Sequence, residues 1–94
     1  MASAWRVRPL CKFHWRQFGD DWVVFDEGSG DTHRLDPVSA VALMCLAEAP
    51  LSEAELTRQV AVETDLPEGE DLSRAVAAVI ERFSGTGLIE PATP

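Results

Sequence analysis

The sequence has 94 residues, room for one small domain but not for a catalytic domain plus a separate binding domain. Apolar residues make up 46% and charged residues 26%, a globular balance; eight basic against sixteen acidic side chains give a formal charge of -8, which repels phosphate backbones and argues against a nucleic-acid binder. Cys11 and Cys45 are too few for a zinc site or a disulfide framework, no stretch approaches the roughly 18 apolar residues of a membrane span, and Met1 to Arg8 lacks the apolar core of a signal peptide.

The strands come first. Trp5-Arg6-Val7-Arg8 alternates apolar with basic and stops at Pro9. Phe13 to Phe18 alternates less cleanly, and Trp22-Val23-Val24-Phe25 is a short apolar run expected of a well-buried strand. Six of the seven aromatic residues precede residue 26, and aromatic residues fit pleated surfaces. Glu27-Gly28-Ser29-Gly30-Asp31 is turn chemistry, with two glycines available for positive φ, and Thr32-His33-Arg34-Leu35 returns as the second strand of a hairpin. Leu35 is expected to face the core, which puts Thr32 and Arg34 on the opposite face from His33 and Leu35.

Three helices follow. Asp36 is an N-cap with Pro37 at the first helical position, and Val38 to Ala49 carries only Glu48 as a charge, so this helix should be buried on most sides and end at Pro50. Ser52 and Glu55 form a capping box for a second helix running to about Glu63. A loop with Pro67 and Gly69 leads to a third helix from near Asp71 to Ser84-Gly85, where Leu72, Val76, Val79, Ile80 and Phe83 make an amphipathic stripe. Gly85 and Gly87 are expected to break it, Leu88-Ile89 to dock the tail, and Pro91 to Pro94 to fray. The expected architecture is α+β, winged helix-turn-helix-like: an N-terminal antiparallel three-stranded sheet packed on three α-helices, one domain over 1–94, with 1–35 as sheet and 36–90 as helices and tail.

The side chains offer little catalysis. His14, His33, Cys11 and Cys45 lack the paired spacing of a metal site, and two strand histidines with two buried thiols in a reducing cytoplasm is the plainer reading. Cys11 and His14 stand three apart on one strand and point to opposite faces. Gly28-Ser29-Gly30 matches no phosphate loop, and Asp20-Asp21 and Asp26-Glu27 read as solvated turn acids. No cofactor is called for.

Two readings remain open for the helical part. As a winged helix it could face DNA, but Arg58 stands against Glu53, Glu55 and Glu63, and Arg74 and Arg82 against Asp71 and Glu81, so the attraction to phosphate is missing. Residues 35–94 hold three basic and eleven acidic side chains, hence the whole net charge; Arg6, Arg8, Lys12 and Arg16 form a basic run that could meet an acidic partner or be a solvated sheet face. Alternatively, the free edge at Thr32 to Leu35 can take an extended peptide, with the third helix as a wall. There Ala75 and Ala78 let a backbone approach, and Arg74 and Arg82 can grip a carboxylate. Plain helix propensity for the alanines, and surface pairs with Glu70 or Glu81 for the arginines, stay open. So does self-pairing of the edge, as a structural or dimerisation module.

The order β-hairpin, Leu35-Asp36-Pro37 into an apolar helix, Leu51-Ser52, Asp71-Leu72…Val76…Ile80…Phe83 and Gly87-Leu88-Ile89-Glu90 resembles the PqqD-like family, over roughly residues 22 to 90. The run Trp22 to Asp26, then Ser29-Gly30-Asp31-Thr32-His33-Arg34-Leu35-Asp36, with His14-Trp15-Arg16 upstream, looks more specifically like the PqqD relatives named for their neighbourhood with HPr-kinase-like proteins. The resemblance implies a winged-helix-like fold without enzymatic activity and a chaperone or adaptor role in the cytoplasm. Such a protein binds a precursor (leader) peptide as an added strand and presents it to a modifying enzyme; charge and hydropathy, not the resemblance, argue against nucleic-acid and membrane partners, and monomer and homodimer both stay open. The family's binding positions carry over to Thr32, His33 and Arg34 and to Ala75, Ala78, Val79 and Arg82. Asp36 stands where PqqD proteins proper often have Asn.

Overall fold

The structure, a computed structural model, describes residues 4–92. It is α+β, with elements in the order β1 (Ala4–Val7), β2 (Phe13–Phe18), β3 (Asp21–Asp26), β4 (Asp31–Leu35), α1 (Pro37–Glu48), β5 (Leu51–Ser52), α2 (Glu53–Thr64), α3 (Glu70–Thr86) and β6 (Ile89–Ala92). Strands β2, β3 and β4 form an antiparallel sheet in that order, ahead of the three helices. Its inner face carries Phe13, Trp15, Trp22, Val24 and Leu35. Trp15 meets Trp22 edge-on at 5.9 Å and Phe13 meets Trp15 edge-on at 6.2 Å, an arrangement aromatic rings favour. Val24 and Leu35 are fully buried and join Leu43, Leu56, Val60, Val76, Phe83 and Leu88 in one core.

The helix signals work as the sequence predicts. The Asp36 carboxylate accepts from Ser39 N–H at 2.9 Å, with Pro37 opening α1. Ser52 and Glu55 make both bonds of the capping box, 3.1 and 2.9 Å. Helix α1 buries Ser39, Ala40, Ala42, Leu43, Cys45 and Leu46, so it is covered on several sides, while α3 buries only the stripe Leu72, Val76, Val79, Ile80 and Phe83.

Four features differ from expectation. Helix α3 runs through Gly85 and begins at Glu70; its stop is Gly87, which takes the left-handed conformation (φ 82) and returns its N–H to Phe83 and Ser84 carbonyls. The tail does not fray at Pro91: β6 pairs antiparallel with β1, Pro91 opposite Trp5 and Ala92 opposite Ala4 (Thr93 and Pro94, like Met1 to Ser3, lie outside the described residues). Strand β1 therefore leaves the hairpin sheet and lies between β5 and β6 in a second one. Gly28 does not supply positive φ; a Cβ there would lie 2.1 Å from the Leu10 carbonyl oxygen, so close approach demands glycine at this position.

The basic run is largely neutralised. Arg6 and Arg8 both meet Glu90, and Lys12 meets Glu27 at 3.5 Å. The docked tail that the sequence left without a partner supplies Glu90. No continuous basic strip survives over the first strands among the described residues.

Candidate functional site

The β3–β4 turn is built around one buried carboxylate, Asp26, contrary to its expected place as a solvated turn acid, because main-chain and hydroxyl donors surround it. Asp26, 2% exposed, accepts from Lys12 N–H at 2.9 Å, Gly28 N–H at 3.0 Å and the Ser29 hydroxyl at 3.0 Å. Burial alone would raise this carboxyl; the bonds from Lys12, Ser29, Gly28 and the Cys11 thiol outweigh it and hold Asp26 below its ordinary range. The turn fixes the register: Asp26 opposite Asp31, Val24 opposite His33, Trp22 opposite Leu35.

That register decides what β4 shows to its surroundings. Residues of an antiparallel ladder exchange both main-chain bonds with a neighbour on one side and none on the other, in alternation. Glu27 donates to the Lys12 carbonyl at 2.8 Å, on the β2 side, so the odd-numbered residues of β3 serve β2 and the even-numbered ones serve β4. Val24 and His33 are then a bonded pair. Thr32 and Arg34, opposite Phe25 and Val23, turn their N–H and C=O groups to the outer edge. No strand pairs with that edge among the described residues. Among the described residues, its one side-chain occupant is the Arg82 guanidinium, which donates to the Arg34 carbonyl at 3.1 Å.

Beside the edge lies a cleft of about 270 Å³, lined by Asp36, Val38 and Ser39 of the α1 start and by Ala75, Ala78, Val79 and Arg82 of α3. Of the five α3 positions singled out from the sequence, Ala75, Ala78, Val79 and Arg82 line one cleft, and Arg82 joins it to Arg34. Thr32 is exposed on the outer face. His33 is half-buried on the inner face, its Nε2 buried with no hydrogen-bond partner among the described residues. Arg74 does not line the cleft; it pairs with Glu70 at 2.9 Å, one helical turn away. Sequence reasoning missed Asp36, Val38 and Ser39. The signal was present, since the first turn of a helix that directly follows an edge strand must border that edge.

Cys11 and His14 lie away from the cleft, each with other partners. Cys11 lies with its Sγ 3.9 and 3.8 Å from the Gly87 and Leu88 carbonyls, while His14 holds Glu27 at 2.9 Å, so the two form no nucleophile–base pair. Burial, then the Asp26 charge, pushes the Cys11 thiol up to about 11, which keeps it protonated at neutral pH. Among the described residues no group of three or more His, Cys, Asp or Glu side chains is placed to hold a metal ion, and no helix is long and apolar enough to cross a membrane.

Residues 21–89, spanning the hairpin, the three helices and the start of the tail, match the family model described as coenzyme PQQ synthesis protein D (PqqD). The chain belongs to the PqqD family. The matched segment contains the β4 edge, the α1 start and the whole of α3, so every wall of the cleft lies inside it. The PqqD family is one of accessory proteins that bind a precursor peptide in the biosynthesis of modified ribosomal peptides. A human protein, Puratrophin-1, is 25% identical over 97 residues, covering 94% of this chain and 8% of that protein. The chain thus spans under a tenth of that relative's length. No solved structure matches.

Proposed function

We propose that this chain captures a precursor (leader) peptide by β-strand addition at the Thr32–Leu35 edge, against α3, and presents it to a modifying enzyme. The observation that carries the reading is the open row of Thr32 and Arg34 main-chain groups beside an apolar cleft. A peptide laid antiparallel on β4 pairs with these groups, and its inward side chains enter the space between Val38 and the Ala75–Ala78–Val79 wall. The hairpin turn, locked by Asp26, holds the edge straight before the peptide arrives, which reduces the ordering cost of binding. Binding uses Thr32, His33, Arg34, Ala75, Ala78, Val79 and Arg82, within a single 1–94 domain acting in the cytoplasm. The narrower kinship with the HPr-kinase-associated PqqD relatives belongs to the same proposal.

The test is co-purification from native lysate with identification of the bound peptide, followed by a backbone-amide shift map with that peptide. Shifts at residues 31–35 and 74–83 support the reading. Shifts confined to the Arg58 side of α2, or along the β2 edge, refute it. The β2 edge is also unpaired among the described residues, so it offers a peptide a real alternative.

A further inference from the structure

The Arg82 guanidinium bonds the Arg34 carbonyl at 3.1 Å and lies 5.9 Å from the Phe83 ring centroid. It has no carboxylate partner among the described residues, whereas Arg34 is paired with Asp21 at 2.7 Å and Arg74 with Glu70 at 2.9 Å. Of the three arginines near the edge, only Arg82 carries unbalanced charge, and it lines the cleft. The carbonyl it covers is one that an added strand must use. An incoming peptide N–H therefore displaces the guanidinium, and a guanidinium moved off its acceptor needs another.

We infer that the peptide admitted at this edge carries an Asp or Glu next to the residue that pairs with Arg34, so that Arg82 passes from the Arg34 carbonyl to the peptide carboxylate. The inference rests on the strand-addition reading and adds the chemistry of the ligand. The geometry narrows the pattern further. Side chains flanking the residue opposite Arg34 point inward, two positions apart, toward the cleft. One meets Arg82. The other meets the apolar wall of Val38, Ala75, Ala78 and Val79. Asp36 lines the cleft too, and its carboxylate, committed to Ser39 N–H, repels a second acid. The recognised pattern is an acid and an apolar residue separated by one residue. Until such a peptide arrives, Arg82 keeps the edge from pairing indiscriminately.

The experiment is selection from a random twelve-residue display library with the full chain, Arg82→Glu and Arg34→Pro in parallel. Both positions are exposed, and helical circular dichroism checks each variant's fold. The expected result is enrichment of acid–x–apolar (or the reverse order) by the wild type, Lys or Arg replacing the acid with Arg82→Glu, and neither with Arg34→Pro. Changing the acid of a selected peptide to its amide should weaken binding about tenfold in the wild type and leave Arg82→Gln unaffected. Selected peptides with no fixed acid, or an amide change that costs Arg82→Gln as much, overturn the inference while strand addition stands. Peptides that bind Arg34→Pro as tightly as the wild type overturn strand addition and the inference together, as does a wild type that enriches nothing. Should Arg34→Pro lose its fold, methylating single backbone nitrogens of the peptide asks the same question from the other strand.

Discussion

Arg82 and Arg34 lie 48 residues apart in the chain and meet in one hydrogen bond, guanidinium to main-chain carbonyl. It is the sole bond from α3 side chains to the edge strand among the described residues, and it marks which face of β4 is open. Arg34, not His33, presents its N–H outward, and this assigns opposite outcomes to two neighbouring proline substitutions. Arg34→Pro removes an unused donor, so it should spare the fold and weaken peptide binding by about tenfold, the worth of one main-chain bond. His33→Pro removes a donor used by β3 and should destabilise the hairpin itself. Urea unfolding and peptide titration of both variants check this; equal stability loss in the two would contradict the ladder assignment.

Gly28 is expected to tolerate no side chain. With a Cβ 2.1 Å from the Leu10 carbonyl oxygen, backbone must move. Gly28→Ala should lose about 1–3 kcal/mol, the usual cost of overpacking, or roughly 5–15 °C of melting temperature at this size. Thermal melting measures it. An unchanged melting temperature would mean that the Leu10 segment yields freely.

Much of this architecture was legible locally. Asp36-Pro37, Ser52 with Glu55, and the Leu72–Phe83 stripe each carry their signal within a few residues, because caps and amphipathic spacing are short-range effects. The second sheet was not legible. Leu51–Ser52 is too short to show a strand period, and β1 and β6 are joined across almost the whole chain. The pairing of Arg6 and Arg8 was hidden for the same reason: Glu90 arrives only through that long-range pairing. For the site, alternation placed Thr32 and Arg34 on one face and helical spacing placed Ala75, Ala78 and Arg82 on one wall. Asp36, Val38 and Ser39 entered only when β4 and α1 were seen to share a corner.

Asp26 should couple stability to acid. Its folded carboxyl is held below its ordinary value of 3.8, so it stabilises the fold at pH above that value and loses the contribution as pH falls through the folded one. Glu27, held low chiefly by the hydrogen bond from His14, follows the same direction but is exposed. The difference between wild type and Asp26→Asn isolates the buried group. Asp26→Asn should be less stable at pH 7 by about 1–3 kcal/mol, the cost of weakening a buried hydrogen-bonded site, and the gap should narrow below pH 4. Urea titrations at pH 7 and pH 3 read this, and a gap that widens in acid would contradict it.

Cys11 should be a slow thiol. Pushed up to about 11 by burial and by the Asp26 charge, from a usual 9.0, it holds about a hundredfold less thiolate near pH 8 than an open cysteine. Cys45 shifts the same way, through burial and then the charges of Glu63 and Glu48. Alkylation at pH 8 should be far slower in the folded chain than in urea. Labelling of Cys11 at the rate of a free thiol would show that its surroundings are open.

The most direct measurement is amide hydrogen exchange at Thr32 and Arg34 with and without the co-purified peptide. Both amides should exchange quickly in the free chain and slow by at least tenfold when the peptide is bound, while the His33 amide, already spent on β3, changes little. Fast exchange at Thr32 and Arg34 in a saturated complex, with protection gained at β2 or α2 instead, would contradict the account.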